Sequence, residues 1–236
     1  ATRLLTLHSN GVLKDLILSE EGTSISIAPD GKTAVVANRS SISLIDLNSQ
    51  VETAKWFVPF SISDVVLGND NFAYMNKGRS NLVSSSQGAL YSINMSTGAL
   101  SAPVDINDVN GNMYENINII RIKLHSSENR IYAKQSSDDG LRRVRYDLGI
   151  NGSVTGISYP PDGNEDRFCS RIFLGFNGKR LMNGCGLIYD LTENTSTDYM
   201  FLNRLENFPN TETSPVFTAT ALDASESWMI YSPQRR

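Results

Sequence analysis

The stretch Ser26–Asn48, SIAPDGKTAVVANRSSISLIDLN, decides how the rest of the chain is read. Two apolar runs flank a Pro-Asp-Gly turn. A third follows Asn-Arg-Ser-Ser and closes on Ile-Asp-Leu-Asn. Pro presets φ for a tight turn, and Gly takes the left-handed backbone that closes a hairpin in step with strand twist. The stretch is one local hairpin or one copy of a repeating unit, and the remaining sequence separates these readings.

Its strand end recurs. SLIDLNSQ (43–50), YSINMSTG (91–98), VRYDLGING (144–152) and LIYDLTENT (187–195) each run from an alternating apolar strand through Asp or Asn into a turn. LLTLHSNG (4–11) follows more loosely. Upstream lie the turns APDGKT (28–33), LGNDNF (67–72), HSSENR (125–130), GFNGKR (175–180) and LDASES (222–227). Short runs rich in Ile, Val, Leu, Tyr and Thr between Gly, Asn and Asp turns read as all-β. No stretch reads as a full helix; Asn203–Asn207 is the one candidate for a short helical turn.

The unit is four strands, A to D, with A starting near Thr23, Ser61, Asn118, Arg167 and Val216. Spacings of about 40–55 residues are those of β-propeller blades. The expected fold is a single-domain propeller of about five four-stranded blades, at 23–60, 61–117, 118–166, 167–214, and 215–236 joined to 1–22. The last blade takes strands A and B from the C-terminus and C and D from the N-terminus, which removes exposed sheet edges. The alternative is a longer propeller cut in phase.

SIAPDGKTAVVAN and SLIDLNSQ resemble the bacterial YVTN-type, lactonase-like propeller repeats, which carry a similar strand–Pro-Asp-Gly-Lys–strand and Asp-Leu turn. The match is good in the first unit; elsewhere only Asn177-Gly178-Lys179 preserves part of the box. The resemblance implies a propeller, a fold that hosts many unrelated activities.

The chain has 236 residues, 40% hydrophobic and 19% charged, with net charge −4. This composition supports a packed core. The absence of a basic stripe argues against nucleic-acid binding. The one basic knot, Arg142-Arg143-Val144-Arg145, lies in an apparent strand and reads as a solvated face. No apolar run is long enough for a helix to span a bilayer, so membrane insertion is not expected. The chain starts at Ala1 without Met, and reads as a mature protein or an excised piece.

Cys169 and Cys185 are the only cysteines. A three-residue hairpin loop with Gly178 in the left-handed region makes Gly175 face Lys179, and outward continuation makes Cys169 face Cys185. Directly opposed Cα atoms lie roughly 4.5–5.5 Å apart, within disulfide range. Such a bond implies a periplasmic, extracellular or cell-surface home; two buried free thiols are the alternative. Asn-x-Ser/Thr triplets begin at Asn38, Asn94, Asn151 and Asn194, and suit glycosylation or turn chemistry equally.

His8 and His125, the only histidines, are expected in exposed turns. Asp105, Asn107, Asp108 and Asn110 in DINDVNGNMYEN (105–116) offer hard oxygen ligands suited to calcium, but the spacing is not that of an EF-hand. No cofactor is otherwise implied. Asp64 and Asp223 lie near A strands but form no convergent acidic set for glycoside hydrolysis. The preferred binding surface is two long B–C loops, NKGRSNLVSSSQG (76–88) and KQSSDDGLRR (134–143). Its contact residues are Lys77, Arg79, Asn81, Gln135, Asp138, Asp139 and Arg142. The expected function is a non-catalytic module binding a protein or glycan, within a larger secreted, periplasmic or cell-surface protein. The alternative is a lactonase-like or glycoside-acting hydrolase with a central divalent metal.

Overall fold

The structure is a computed structural model. It describes residues 4–9, 12–68, 70–78, 89–104, 118–125, 127, 129–137, 140–159, 172–175, 178–183, 186–194, 196–204, 217–222 and 229–233. For residues 4, 6–9, 12–14, 118–120, 135–137, 140–142, 217–222 and 229–233 the description is of the backbone alone. The chain divides into two compact units, Ala1–Asp105 with Ile150–Ser153, and Ile106–Gly149 with Val154–Arg236.

In the first unit, β1 (Leu4–Ser9) and β2 (Val12–Ile17) form a two-stranded sheet. The first four-stranded sheet runs β3 (Gly22–Ile27), β4 (Thr33–Asn38), β5 (Ser41–Asp46), β6 (Val51–Phe57). The second runs β7 (Ile62–Leu67), β8 (Phe72–Lys77), β9 (Leu90–Asn94). Its expected fourth strand is reduced to bridges Ile93↔Leu100 and Leu90↔Val104. Pro103 in this stretch has no N–H to give a ladder.

In the second unit, the third sheet is β10 (Asn118–Leu124), β11 (Arg130–Ser137), β12 (Gly140–Leu148), β13 (Val154–Ser158). The fourth is β14 (Ile172–Leu174), β15 (Arg180–Asn183), β16 (Leu187–Asp190), β17 (Met200–Arg204). β18 (Phe217–Leu222) and β19 (Met229–Pro233) pair as a further hairpin. All described ladders are antiparallel. The one described helical element is the single turn Ile150–Gly152, and no described helix is long and apolar enough to cross a membrane. Asn203 and Arg204 end β17, so the helical turn expected from Asn203 is strand at its start.

The repeat seen in sequence has a hydrogen-bonded cause. In each of the four sheets, the residue after the terminal Asp or Asn donates its N–H into that sheet's first hairpin turn. The pairs are Leu47 to the Lys32 carbonyl, Met95 to Asn71, Leu148 to Asn129 and Leu191 to Lys179, at 2.8–2.9 Å. The two recurring motifs are thus halves of one lock. The side chain supports it in the first two sheets: Asp46 Oδ1 accepts the Ser49 N–H at 2.7 Å, and Asn94 Oδ1 those of Ser96 and Thr97. Bonds from Ser49 hold the Asp46 carboxyl below its ordinary pKa.

A second regularity is invisible in sequence. The strands β3, β7, β10 and β18 each carry a register shift near their start, at Gly22/Ser24, Ile62/Asp64, Ile119/Arg121 and Phe217/Ala219. A bulge at that point increases local twist.

β4 shows why an unbroken apolar run marks a central strand. Val35 and Ala37 enter the core shared with β7 and β8 (Val65, Leu67, Ala73, Met75), while Ala34 and Val36 pack with Leu18 and Ile45. Phe60 and Tyr91 stack within the former core at 4.2 Å between centroids. Trp56 packs against the same core, as expected for KWFVPF, although Phe57 is 73% exposed.

Gly31 and Gly98 both have positive φ, at 69° and 73°. A Cβ on Gly31 meets nothing within 4 Å, whereas one on Gly98 overlaps the Trp56 ring. Gly31→Ala is expected to cost about 1 kcal/mol from backbone strain alone. Gly98→Ala adds overpacking, for about 2–4 kcal/mol in all. Urea unfolding of the two variants checks the difference, and equal losses contradict it.

Candidate functional site

Among the described residues, a buried cluster of charged and hydroxyl side chains lies where the third and fourth sheets meet, inside the second unit. Side chains alternate along a strand, so Arg130, Tyr132 and Lys134 share one face of β11. Antiparallel pairing sets Asp147, Arg145 and Arg143 opposite them on β12. This face carries four cations. Sequence reading makes it solvated, and the structure corrects this: Arg143 is 3% and Arg145 7% exposed. The fourth sheet covers the face and supplies the counter-charge.

That counter-charge centres on Asp198, 1% exposed, between β16 and β17. Its Oδ1 accepts the backbone N–H groups of Thr192 and Tyr199 at 2.8 and 3.0 Å. Its Oδ2 accepts the Tyr132 hydroxyl at 2.8 Å and Arg145 Nη1 at 2.7 Å. Arg130 Nη1 lies 3.6 Å from the same oxygen and donates to the Thr192 carbonyl at 2.6 Å, while its Nη2 pairs with Glu193. Arg145 Nε also pairs with Asp147 at 2.7 Å. The Arg143 guanidinium lies over the rings of Tyr189 and Tyr199, 4.9 and 5.4 Å from their centroids, and donates to the Tyr199 carbonyl.

Burial, then the neighbouring Asp198 charge, pushes the Tyr132 phenol well above its ordinary pKa, so it remains a donor. The hydrogen bond from Arg130 chiefly holds Glu193 below the usual carboxylate range. Both Asp198 oxygens are occupied by protein donors. The arrangement binds two sheets together and offers no activated nucleophile.

The sequence-derived candidates fall differently. Lys77 ends β8 opposite Ile62, half-buried. Arg79 and Asn81 lie outside the described residues, as do Asp138 and Asp139. The segment 134–143 is not a long loop: the β11–β12 ladder continues through Gln135↔Arg142 to Ser137↔Gly140. The run is almost wholly polar and reads as a loop, but strand pairing extends through its polar residues.

Asp105, Asn107, Asp108 and Asn110 are outside the described residues. Among the described residues no group of three or more His, Cys, Asp or Glu is placed to hold a metal.

Cys169 and Cys185 are also outside the described residues. The register argument for pairing them is corrected. Ile172 faces Asn183 and Leu174 faces Leu181, with the Gly175 N–H bonded to the Arg180 carbonyl. The loop is one residue longer than the three-residue form, so Gly175 does not face Lys179. Gly178 does take the left-handed conformation, φ 71°.

His125 is buried rather than exposed; the backbone of His8 pairs with Leu13 in β1. Asn38 is fully buried, its Nδ2 donating to Ser41 and Ser43, which is incompatible with a glycan there. Asp64 is buried and accepts the Ser24 hydroxyl at 2.5 Å. Asp198 itself was missed, because it follows the turn-forming run Asn194-Thr195-Ser196-Thr197 and reads as one more turn residue; the alternating cations on β11 and β12 were the available signal.

No family model matches the chain, and no curated protein matches it in sequence. Solved structures do resemble it. The hydrazine synthase of Kuenenia stuttgartiensis aligns with a TM-score of 0.62 at 13% identity, covering 97% of this chain and 67% of that one. The β-propeller domain of Cps50 (Swd1) from Myceliophteria thermophila aligns with 0.65 at 11% identity, covering 94% and 69%. At such identities the likeness defines the fold: the chain is all-β, built of four-stranded antiparallel sheets, and structurally similar to β-propeller proteins.

Removing one partner of a buried ion pair costs about 3–5 kcal/mol. Asp198→Asn is therefore expected to destabilise the chain by that amount. Tyr132→Phe, which deletes one hydroxyl, is expected to cost about 1–3 kcal/mol. Urea titration of both variants measures this, and a loss for Asp198→Asn no larger than for Tyr132→Phe contradicts the assignment.

Proposed function

We propose that the chain is a non-catalytic propeller module of about five blades that presents loops and strand edges to a protein or glycan partner. Its setting is a larger secreted, periplasmic or cell-surface protein. The observation that carries this reading is how the described residues divide. The buried ionisable groups Arg130, Arg143, Arg145 and Asp198 hold the third and fourth sheets together. Apolar side chains are left exposed on outermost strands: Phe57 on β6, and Met200, Phe201 and Leu202 on β17. An apolar edge is a ready surface for a partner.

The YVTN-type kinship is part of the proposal, supported by the Ser26–Asn48 repeat. Ring closure through a blade shared by β18–β19 and β1–β2 is another part. The β18 bulge supports it, because it marks β18 as the counterpart of β3, β7 and β10. So does β3, whose Ile25 and Ile27 are 46% and 57% exposed on alternating positions, a face suited to a further sheet. The extracytoplasmic setting is a separate part of the proposal: it requires a Cys169–Cys185 bond, and an intact mass two hydrogens light under non-reducing conditions tests it.

The purified chain is expected to turn over neither lactones nor aryl glycosides, with or without calcium. Its melting temperature is expected to be the same in calcium and in chelator, since a bound ligand raises stability as ln(1 + [L]/Kd). Turnover, or a calcium-dependent melt, favours the hydrolase reading instead. Closure predicts slow hydrogen exchange at the β1 amides that do not bond to β2, and fast exchange there once residues 216–236 are deleted. Fast exchange in the intact chain contradicts closure.

A further inference from the structure

His125 follows β10 in the first hairpin turn of the third sheet, and Gly178 lies in the corresponding turn of the fourth. The His125 imidazole Nε2 is 2.9 Å from the Gly178 carbonyl oxygen, and the contact is buried. A carbonyl only accepts, so Nε2 carries a proton in this bond. The other ring nitrogen, Nδ1, is 3.1 Å from the Ser127 N–H, which donates to it, and 2.6 Å from Ser127 Oγ. Ser127 Oγ also lies 2.5 Å from Asn129 Oδ1, and its single hydrogen serves either that oxygen or the unprotonated Nδ1. The neutral ring thus fastens Gly178 with one nitrogen and organises its own turn with the other.

A second proton changes this. Nδ1–H cannot accept the Ser127 N–H, so that bond is lost and only the contact to Ser127 Oγ suits the charged ring. The described groups around the ring are Arg130 and Tyr132 from β11, Glu193 and Asp198 from the segment after β16, and Lys179 beside Gly178. Glu193 and Asp198 favour the charged ring, but both already serve Arg130. Arg130 opposes it.

We propose that His125 is a proton-operated latch between the third and fourth sheets: neutral, it fastens their first turns together; protonated, it releases the Ser127 turn and loosens that join. Burial pushes the imidazole below its ordinary pKa; the Gly178 bond opposes this and Arg130 adds to it. A depressed histidine contributes stability that is complete above its unfolded pKa, about 6.5, and is lost as pH falls from there through the folded value. The latch therefore holds at neutral pH and weakens in mildly acidic surroundings.

The test uses the whole chain. Its two histidines give two imidazole resonances, assigned with a His8→Gln variant. The His125 resonance is expected to titrate with a midpoint below 6.5, and exchange of the Ser127 amide to accelerate across that transition. The urea midpoint of the wild type is expected to fall between pH 7 and 5 relative to His125→Gln, whose amide keeps a donor for Gly178 but does not titrate. A His125 midpoint at or above 6.5 overturns the proposal. So does a Ser127 amide indifferent to it, and either result is readable in the wild type even where His125→Gln fails to fold.

Discussion

The carboxylate of Asp198 organises the second unit. It is nearly inaccessible to water, and an isolated ion in that position is strongly disfavoured. It is tolerated because Thr192, Tyr199, Tyr132 and Arg145 all point donors at its two oxygens. The requirement runs both ways. Arg130 and Arg145 are buried beside each other on β11 and β12, and Asp198 with Glu193 and Asp147 answers their charge. A join of this kind is sensitive to register. A one-residue slip of β12 turns Arg145 to the opposite face and leaves Asp198 without its 2.7 Å partner.

The first unit solves the same packing problem with different chemistry. There the first and second sheets meet through Val35, Ala37, Val65, Leu67 and Met75, with polar ties from Ser24 to Asp64 and from the Leu67 N–H to Ser26 Oγ. Apolar packing is non-directional and insensitive to pH, whereas ionic and imidazole contacts are directional and titratable. The two joins therefore differ in chemistry, one chiefly apolar and the other chiefly ionic, although each unit repeats the same four-strand plan. A latch at His125 belongs to the unit whose join is already electrostatic.

The local parts of the fold were legible. A Pro-Asp-Gly turn and an Asp-Leu strand end each carry their own backbone geometry, so β3, β4 and β5 could be placed from Ser26–Asn48, and β6 from the KWFVPF run that follows. The same two motifs located β7, β8, β10, β11, β12, β15 and β16. Loop length was not legible at GFNGKR: Gly178 is left-handed in either loop, but one extra residue shifts every cross-strand partner of β14. The fourth strand of the second sheet was equally hidden, because ladder formation near Pro103 depends on which N–H groups face β9.

The functional residues show the limit. Alternation in Arg143-Val144-Arg145 put both arginines on one face, and that was correct. Whether the face met water or protein depended on the fourth sheet, some fifty residues further along the chain. The sequence by itself determined the all-β plan, the period and the turns, because these follow from backbone preferences and hydrogen bonds within one repeat. Only the tertiary structure decided which charges are buried, that Asp198 answers them, and that His125 reaches Gly178. Those outcomes arise where two sheets come face to face, and no single repeat contains both sides of the contact.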